Sequence, residues 1–300
     1  MTIVKEVFDC IILGAGPAGL SASLVLGRSR RTIALFDNGT NRNRVTQESH
    51  GFITRDGIKP VEFKNIALEE LKMYPSVHFF KETVKQVTKT TDSLFQIQTS
   101  EGQDYLSERI ILATGIQEKH PQVPEISRYY GKSLFSCPYC DGWELRDQPL
   151  IIIAEHEATA YHMAKLIYNW SENLLVATNG HKISQHIVND LKQKSIEVIT
   201  EPIKRLHGKN GVLEKVIFHS GNEFKREGGF VAPSFYRPNR FAEQLGCEIQ
   251  EDGKIVTSSQ KNIYAAGEIA QSVPSSLMIA AAEGYKIGAT VNADITFERF

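Results

Sequence analysis

Two cysteines separated by two residues, Cys137 and Cys140, carry the clearest signal of chemistry in this 300-residue chain. They lie in the run Cys137-Pro138-Tyr139-Cys140-Asp141-Gly142, where the proline and the Asp-Gly pair indicate an exposed turn. Two intervening residues allow a small-ring disulfide that opens and closes with little backbone motion. Each thiolate can also be stabilised by the neighbouring thiol. The spacing therefore favours thiol–disulfide exchange.

Zinc binding and an inert core pair are the two alternatives for these cysteines. A zinc site would have only two ligands here, because neither Cys10, in a predicted buried strand, nor Cys247 forms a second close pair. A pair of core cysteines does not fit an exposed turn. We therefore predict a redox pair and no metal site.

Glycines near the N-terminus form the second chemical signal. The apolar run 9–13 is typical of a buried parallel strand, Gly14-x-Gly16-x-x-Gly19 follows it, and 20–26 has a helical pattern. These glycines let a pyrophosphate lie on the helix N-terminus with no side chain in the way. The next strand, 32–36, ends at Asp37, where a carboxylate can accept ribose hydroxyls. The pattern predicts a βαβ dinucleotide site, with a glycine-rich turn that binds nothing as the alternative.

A weaker copy of this order of elements begins near residue 150, which indicates an internal repeat. We expect a β-meander over 77–112 in the first half, formed by 77–87, 94–99 and 110–112. The second half is predicted to contain strands at 150–153 and 174–177 and helices at 158–170 and 183–194. The strand, turn and alanine-rich helix over 261–290 are expected to return to the first half. We therefore predict an α/β chain of two Rossmann-like nucleotide-binding folds of three-layer ββα type, a discontinuous domain 1–115 plus 241–300 and an inserted domain 116–240.

Composition and charge exclude several classes of protein. The 34 Lys and Arg residues balance 35 Asp and Glu residues to a formal net charge of -1, so no basic field would hold nucleic acid or an anionic membrane. The chain has neither a run of about eighteen apolar residues nor the pattern of a signal peptide. Four cysteines are too few for a disulfide-rich secreted scaffold. We expect a cytoplasmic protein that binds neither nucleic acid nor membrane.

Together the motifs resemble the low-molecular-weight thioredoxin reductases, which are FAD-dependent pyridine nucleotide-disulfide oxidoreductases. The resemblance covers nearly the whole chain and rests on Gly14 to Gly19, Ala113-Thr114-Gly115, Cys137 to Gly142 and Ala265-Ala266-Gly267-Glu268. A branch that includes the dithiol oxidases, which close disulfides in natural products, is closer still in 36–43, 50–57 and Gly142-Trp143-Glu144.

The resemblance assigns roles to individual residues. It implies that Cys140 faces the flavin, that Cys137 forms the mixed disulfide with the substrate, and that Asp141 moves protons between thiols and flavin. Asp141 could alternatively cap its turn. His50 is a second candidate proton carrier, with an exposed loop histidine as the alternative. The residues expected to bind FAD are Gly14, Ala15, Gly16, Pro17, Ala18, Gly19, Asp37, Asn38, Arg42, Asn43, His50, Val84, Ala113, Thr114, Gly115, Gly267, Glu268, Ser276 and Leu277.

One of these residues departs from the family pattern. Glu268 stands where the family usually has Asp, and it is one methylene longer. We expect FAD to bind all the same, either with the backbone slightly further away or with the hydrogen bond to its ribityl chain re-aimed. The alternative is that Glu268 is a surface carboxylate.

The second half lacks the residues that hold NADPH in this family. Its first strand runs into Ala154-Glu155-His156-Glu157, where glycines are absent and two carboxylates would repel a pyrophosphate. The paired arginines that would bind a 2′-phosphate are absent after the next strand, where His181 and Lys182 stand. We predict that this half does not bind NADPH in the family manner.

A flavin–disulfide enzyme without a nicotinamide site exchanges electrons with another partner. We predict an FAD-dependent thiol/disulfide oxidoreductase in which electrons pass between a substrate dithiol, the Cys137–Cys140 pair and FAD, with O₂ as acceptor. The alternative is a disulfide reductase fed by ferredoxin, flavodoxin or another flavoprotein, acting on a thioredoxin-like protein or a small disulfide. A second alternative is a flavin-binding scaffold without turnover. The family precedent implies a homodimer.

Overall fold

The computed structural model describes residues 7–271 and 273–300. Within them the strands are β1 (Val7–Phe8), β2 (Cys10–Leu13), β3 (Ile33–Phe36), β4 (Val77–Phe80), β5 (Val84–Lys89), β6 (Phe95–Thr99), β7 (Asp104–Ser107), β8 (Ile110–Leu112), β9 (Gln117–Lys119), β10 (Leu134–Phe135), β11 (Leu150–Ile153), β12 (Leu174–Ala177), β13 (Glu197–Ile199), β14 (Ile203–Lys209), β15 (Val212–Phe218), β16 (Glu223–Lys225), β17 (Gly228–Val231), β18 (Ser234–Tyr236), β19 (Glu248–Ile249), β20 (Ile255–Val256) and β21 (Ile263–Ala265). The helices are α1 (Pro17–Arg28), α2 (Pro60–Leu71), α3 (Ile126–Tyr129), α4 (Pro138–Asp141), α5 (Glu157–Ile167), α6 (Gln185–Gln193), α7 (Phe241–Gln244), α8 (Glu268–Gln271) and α9 (Leu277–Arg299), with 3₁₀ turns at Arg42–Val45 and Thr257–Ser259. None of the helices in these two ranges is long and apolar enough to cross a membrane.

The chain divides into two compact units. Unit 1 runs up to Arg44, resumes over 60–117 and closes with 235–300, and unit 2 consists of Val45–Lys59 and Glu118–Ser234. These bounds differ from the domains that we predict chiefly in Val45–Lys59, which groups with unit 2 although it lies early in the chain. The assignment of the predicted domains to nucleotide-binding roles stays a prediction.

Unit 1 is built on a parallel five-stranded sheet in the order β21-β8-β2-β3-β4. Its central strands are continuous apolar runs whose residues are all buried, as expected for a parallel sheet covered on both faces. A second sheet, in the order β1-β7-β6-β5, pairs β5, β6 and β7 antiparallel. The C-terminal strand β21 pairs with β8, so the end of the chain completes the first sheet.

Unit 2 repeats this plan. Its parallel sheet has the order β10-β17-β11-β12-β13, and a three-stranded antiparallel sheet, β14-β15-β16, accompanies it. The central strands β11 and β12 are again fully buried apolar runs. The predicted α/β fold class with two Rossmann-like units is confirmed.

The predicted meander over 77–112 was wrong in two places. The stretch 77–87 forms two strands, because polar residues at 81–83 separate β4, which extends the parallel sheet beside β3, from β5. The third predicted strand, β8, lies in the parallel sheet between β21 and β2. All three residues of β8 are buried and apolar, which is the composition of a central parallel strand.

Two predicted helices also have different ends. Helix α5 stops at Ile167 rather than Trp170, and α9 continues to Arg299 rather than ending near residue 290.

Helix α9 packs closely along α1 through small residues. Gly284 is buried on α9, and a Cβ added to it would overlap the backbone of Ala18 on α1. Gly288, one turn later, faces the backbone of Ala22 in the same way. This approach holds the first turn of α9 beside the glycine turn that follows β2, where both line one cavity.

We predict that Gly284→Val lowers the free energy of unfolding by about 1–3 kcal/mol, because the added side chain forces α1 and α9 apart. The matched control is Ala289→Val, which places the same side chain at an exposed position of α9. Urea unfolding of both variants checks the prediction. Equal midpoints for Gly284→Val and the wild type would show that the two helices tolerate separation.

Candidate functional site

The turn between β2 and α1 leaves room for a ligand only at its middle glycine. Gly14 has a φ of +107°, and a Cβ there would overlap the carbonyl group of Ala113. A Cβ on Gly19 would overlap the carbonyl oxygen of Gly14. By contrast, a Cβ on Gly16 would meet no heavy atom of the described residues within 4 Å. Gly14 and Gly19 therefore make the turn tight, and Gly16 keeps the N-terminus of α1 open.

A cavity of unit 1 lies over this turn and gathers most of the predicted FAD contacts. The described lining residues include every predicted contact except Ala15, Gly19 and His50. Ala15 and Gly19 lie within the glycine turn itself. His50 belongs to unit 2 and is not among the lining residues of this cavity, so its predicted contact with FAD stays a prediction. Those that line the cavity are Gly14, Gly16, Pro17, Ala18, Asp37, Asn38, Arg42, Asn43, Val84, Ala113, Thr114, Gly115, Gly267, Glu268, Ser276 and Leu277.

Asp37, at the end of β3, fixes the glycine turn from the other side. One carboxylate oxygen accepts a hydrogen bond from the backbone N–H of Ala15 at 3.1 Å, and the other accepts one from Gly39 at 2.9 Å. The Lys64 ammonium group pairs with the same carboxylate. The Asp37 side chain is only 8% exposed, so its charge lies in the cavity wall, next to the groups that it binds.

Glu268 uses its additional methylene to reach a cation. Its carboxylate pairs with the guanidinium of Arg42 at 2.5 Å and accepts a hydrogen bond from the backbone N–H of Ser275 at 2.9 Å. It thereby ties the 3₁₀ turn at 42–45 to the residues that precede α9. Ser276 caps α9, since its hydroxyl accepts a hydrogen bond from Ile279 N–H at 3.2 Å.

Several lining residues were missed by the sequence analysis. Asn239 donates a hydrogen bond from its side chain to the Thr114 hydroxyl at 2.9 Å and lines the cavity. It reaches the site from a loop 125 residues further along the chain, and no local motif marks it. The other missed lining residues are Leu13, Phe36, Thr40, Asn41, Glu82, Thr83, Ile116, Pro238, Phe241, Ala266, Ser275 and Ala280.

The cysteine pair lies in unit 2, at the start of the short helix α4. Cys137 and Cys140 form a disulfide, and Cys137 is the residue that precedes the helix. Its carbonyl oxygen accepts hydrogen bonds from Cys140 N–H at 3.1 Å and Asp141 N–H at 3.2 Å, which close the turn. A Cβ on Gly142 would overlap both this turn and the Trp170 ring, so the residue after Asp141 must be small.

The two remaining cysteines are of a different kind. Cys10 and Cys247 are buried free thiols. Burial raises the pKa of both thiols, which keeps them protonated at neutral pH. Reactive thiol chemistry is therefore concentrated at Cys137 and Cys140.

Asp141, which follows the disulfide, is 7% exposed. Burial raises the pKa of its carboxyl to about 7, the charge of Glu144 acts in the same direction, and His50 opposes both. The carboxyl group is therefore divided between its protonated and ionised forms near neutral pH. It can donate a proton to a nearby thiolate or accept one from a thiol.

The corresponding turn of unit 2, between β11 and α5, bears two carboxylates that are hydrogen-bonded within unit 2, and it is called the closed turn below. Glu155 accepts a hydrogen bond from the Asn179 side chain at 3.0 Å. Glu157, the first residue of α5, accepts hydrogen bonds from the backbone N–H and the hydroxyl of Ser184 at 2.7 and 2.6 Å. These bonds lower the pKa of Glu157, so a fixed negative charge lies at the N-terminus of α5.

Comparison with known proteins finds disulfide oxidoreductases among both the sequences and the solved structures. The family model described as pyridine nucleotide-disulphide oxidoreductase matches residues 8–284. Thioredoxin reductase sirT of Leptosphaeria maculans is 28% identical, over 97% of this chain and 95% of the relative. The thioredoxin reductase of Helicobacter pylori is 26% identical, over 92% and 95% respectively. The crystal structure of a putative thioredoxin reductase TrxB from Bacillus anthracis superposes with a TM-score of 0.96 at 59% identity, covering 98% of this chain and all of that one. These matches confirm the resemblance that the motifs indicate.

We predict that Gly16→Val abolishes flavin retention while leaving the fold intact. The φ of -78° at Gly16 suits valine, and the added atoms would enter only the space above α1. The flavin absorbance of the purified variant and the melting temperature of its apoprotein check this. A yellow Gly16→Val protein would contradict the assignment of the turn to a pyrophosphate.

We predict that Asp141→Asn stabilises the protein by clearly more at pH 8 than at pH 5. A carboxyl pKa of about 7 in the folded chain, against about 3.9 in the unfolded chain, means that folding becomes less favourable as the pH rises from about 4 to 7, and that the full loss is present above pH 7. Removing this charge should add up to about 4 kcal/mol at pH 8. Chemical denaturation at both pH values measures it, with exposed Asp147→Asn as the control. A gain that is equal at pH 5 and pH 8 would contradict the raised pKa.

Proposed function

Because the chain belongs to the pyridine nucleotide-disulphide oxidoreductase family, as an enzyme of thioredoxin reductase type, we propose that it is an FAD-dependent dithiol oxidase that does not use NADPH. The observation that carries this proposal is the closed turn of unit 2. Glu155 and Glu157 occupy the place where a second nucleotide would need open backbone N–H groups. We infer that electrons then enter from a substrate dithiol through the Cys137–Cys140 pair.

The family implies a flavin, and the residues of unit 1 fit one. The open N-terminus of α1 at Gly16 accommodates a pyrophosphate, and the cavity continues from it to Asp37 on one side and Glu268 on the other. Arg42 and Asn43 add donors for oxygen-rich groups. When bound, FAD supplies the electron acceptor for the dithiol form of the cysteine pair.

Binding NADPH in unit 2 would carry two electrostatic costs. The phosphates would approach the ionised carboxylate of Glu157, and the like charges repel each other. The hydrogen bonds from Ser184 and Asn179 also hold these carboxylates at the turn, so moving them away from an incoming phosphate would break those bonds. This combination supports an enzyme that draws electrons from thiols.

The oxidation of a dithiol proceeds through two exchanges at the disulfide. A substrate thiolate attacks Cys137, the bond to Cys140 breaks, and the sulfur that is released takes a proton from Asp141. The second substrate thiol loses its proton and attacks the mixed disulfide, which frees the oxidised substrate and leaves both cysteines reduced. The substrate loses two electrons and two protons, and the cysteine pair gains them.

Exposed aromatic side chains near the redox pair indicate which kind of substrate would bind there. Tyr139, between the two cysteines, is 74% exposed, and Trp143, three residues after Cys140, is 65% exposed. Arg146 lies over the Trp143 ring, 4.1 Å from its centroid. Large exposed aromatic surfaces of this kind favour a substrate with apolar groups beside its thiols.

Reduction of a thioredoxin-like disulfide is the second candidate, because the relatives bear the name thioredoxin reductase. In that case electrons would run outward through the cysteine pair. With the turn of unit 2 closed, the donor would be ferredoxin, flavodoxin or another flavoprotein. We retain the homodimer and the cytoplasmic location as predictions for either candidate.

The proposal predicts which reagents bleach the flavin of the anaerobic protein. Dithiothreitol should bleach it rapidly and air should restore the colour, whereas NADPH and NADH should leave it oxidised, because they find no site in unit 2. Cys137→Ser and Cys140→Ser should stay yellow and lose the response to dithiothreitol. Stopped-flow absorbance measures each reaction. Fast bleaching by NADPH would overturn the proposal, and bleaching by reduced ferredoxin with no response to dithiols would favour the reductase.

A further inference from the structure

The segment Val45–Lys59 brings a histidine to the redox unit. It belongs to unit 2, and a bridge between Ser49 and Ile58 closes it into a loop, with Ser49 N–H donating to Ile58 at 2.8 Å. Gly51 N–H donates to the Asp56 carboxylate at 2.7 Å. His50 lies between these two hydrogen-bonded positions, which fix its backbone.

The His50 ring lies near two exposed carboxylates and acts electrostatically on a buried one. Its Nε2 atom lies 3.5 Å from Glu144 and 3.7 Å from Glu48. Its Nδ1 atom is buried and has no hydrogen-bond partner in the part of the chain that the structure describes. His50 and Glu144 are the two ionisable groups whose electrostatic effect reaches Asp141.

The exposed fraction of the side chain increases from Asp141 through His50 and Glu144 to Glu48. Asp141 is 7% exposed, the His50 side chain 15%, Glu144 41% and Glu48 53%. Each opening of the disulfide consumes a proton and each closure releases one, yet the carboxyl group beside it has little contact with solvent. A proton therefore needs a carrier between Asp141 and the surface.

We propose that His50 carries protons between Asp141 and the surface carboxylates Glu144 and Glu48 whenever the Cys137–Cys140 disulfide opens or closes. This rests on the proposed function, in which the disulfide turns over. When the disulfide opens, Asp141 gives its proton to the released sulfur and regains one from the imidazole. The ring gains a proton at one nitrogen as it releases one from the other, and the surface carboxylates are reprotonated by water. Closure runs the same transfers in reverse, with no further reactant.

An exposed ion pair is the competing explanation for this arrangement, and His207 supplies a matched control. Its Nε2 atom lies 3.8 Å from Glu214, also in unit 2, and both side chains are about half exposed. Such pairs contribute little to stability. If His50 were merely another ion pair, His50→Ala and His207→Ala would behave alike.

The test measures how fast dithiothreitol opens the disulfide of the anaerobic holoenzyme, by rapid alkylation of the thiols and mass spectrometry. We expect His50→Ala to slow opening near pH 7 by on the order of 10- to 100-fold, at or below the low end of what a directly acting acid or base contributes. His50→Gln, which cannot take up a proton, should be equally slow. Added imidazole should restore part of the rate of His50→Ala, and His207→Ala should match the wild type.

Each result is decisive for one of the two ideas. If the wild-type disulfide opens no faster than that of oxidised glutathione, the proposed function fails, whatever His50 does. If the wild type opens rapidly and His50→Ala equals it, the proton carrier is overturned and the proposed function stands. A slow His50→Ala that imidazole leaves slow also overturns it, because that result assigns His50 a structural role.

Discussion

A phosphate can approach the N-terminus of a helix only where no side chain stands in its way, and this constraint separates the two halves of the molecule. Both units place a buried apolar strand before a helix, and in both the connecting turn lies at the carboxyl end of the sheet. In unit 1 the turn is open at Gly16. In unit 2 it bears Glu155 and Glu157, which accept hydrogen bonds from residues of their own unit. On the proposed function, one fold supports a nucleotide site in one half and opposes it in the other.

The redox pair lies in unit 2, the half whose turn bears the two carboxylates. Unit 2 forms a five-stranded parallel sheet, and it also contains α4, which carries the disulfide and Asp141. The loop Val45–Lys59 adds His50 to the same unit. Unit 2 thus holds the disulfide together with the groups that we propose supply its protons.

Much of this account could be predicted from short stretches of sequence. The glycines at 14–19 and the buried runs of β2 and β3 define a local βαβ unit, because their geometry depends on neighbours in the chain. The turn at Cys137–Cys140 is local in the same sense. Glu155 and Glu157 were recognisable because they replace glycines at a fixed place after a strand.

Features that depend on distant residues could not be predicted. The stretch 77–87 divides between two sheets, a choice that is made by the strands beside which it lies. Asn239 reaches the cavity from a loop with no motif of its own. The contact of His50 with FAD stays a prediction, whereas the grouping of its fifteen-residue segment with unit 2 depends on packing that sequence periodicity does not reveal.

The closed turn of unit 2 is tested most directly by equilibrium binding of NADP⁺ to the oxidised holoenzyme. Isothermal titration calorimetry reports binding without any electron transfer, so the result does not depend on the identity of the substrate. The account predicts no saturable binding, which corresponds to a Kd weaker than about 1 mM. Saturable binding in the micromolar range would contradict it.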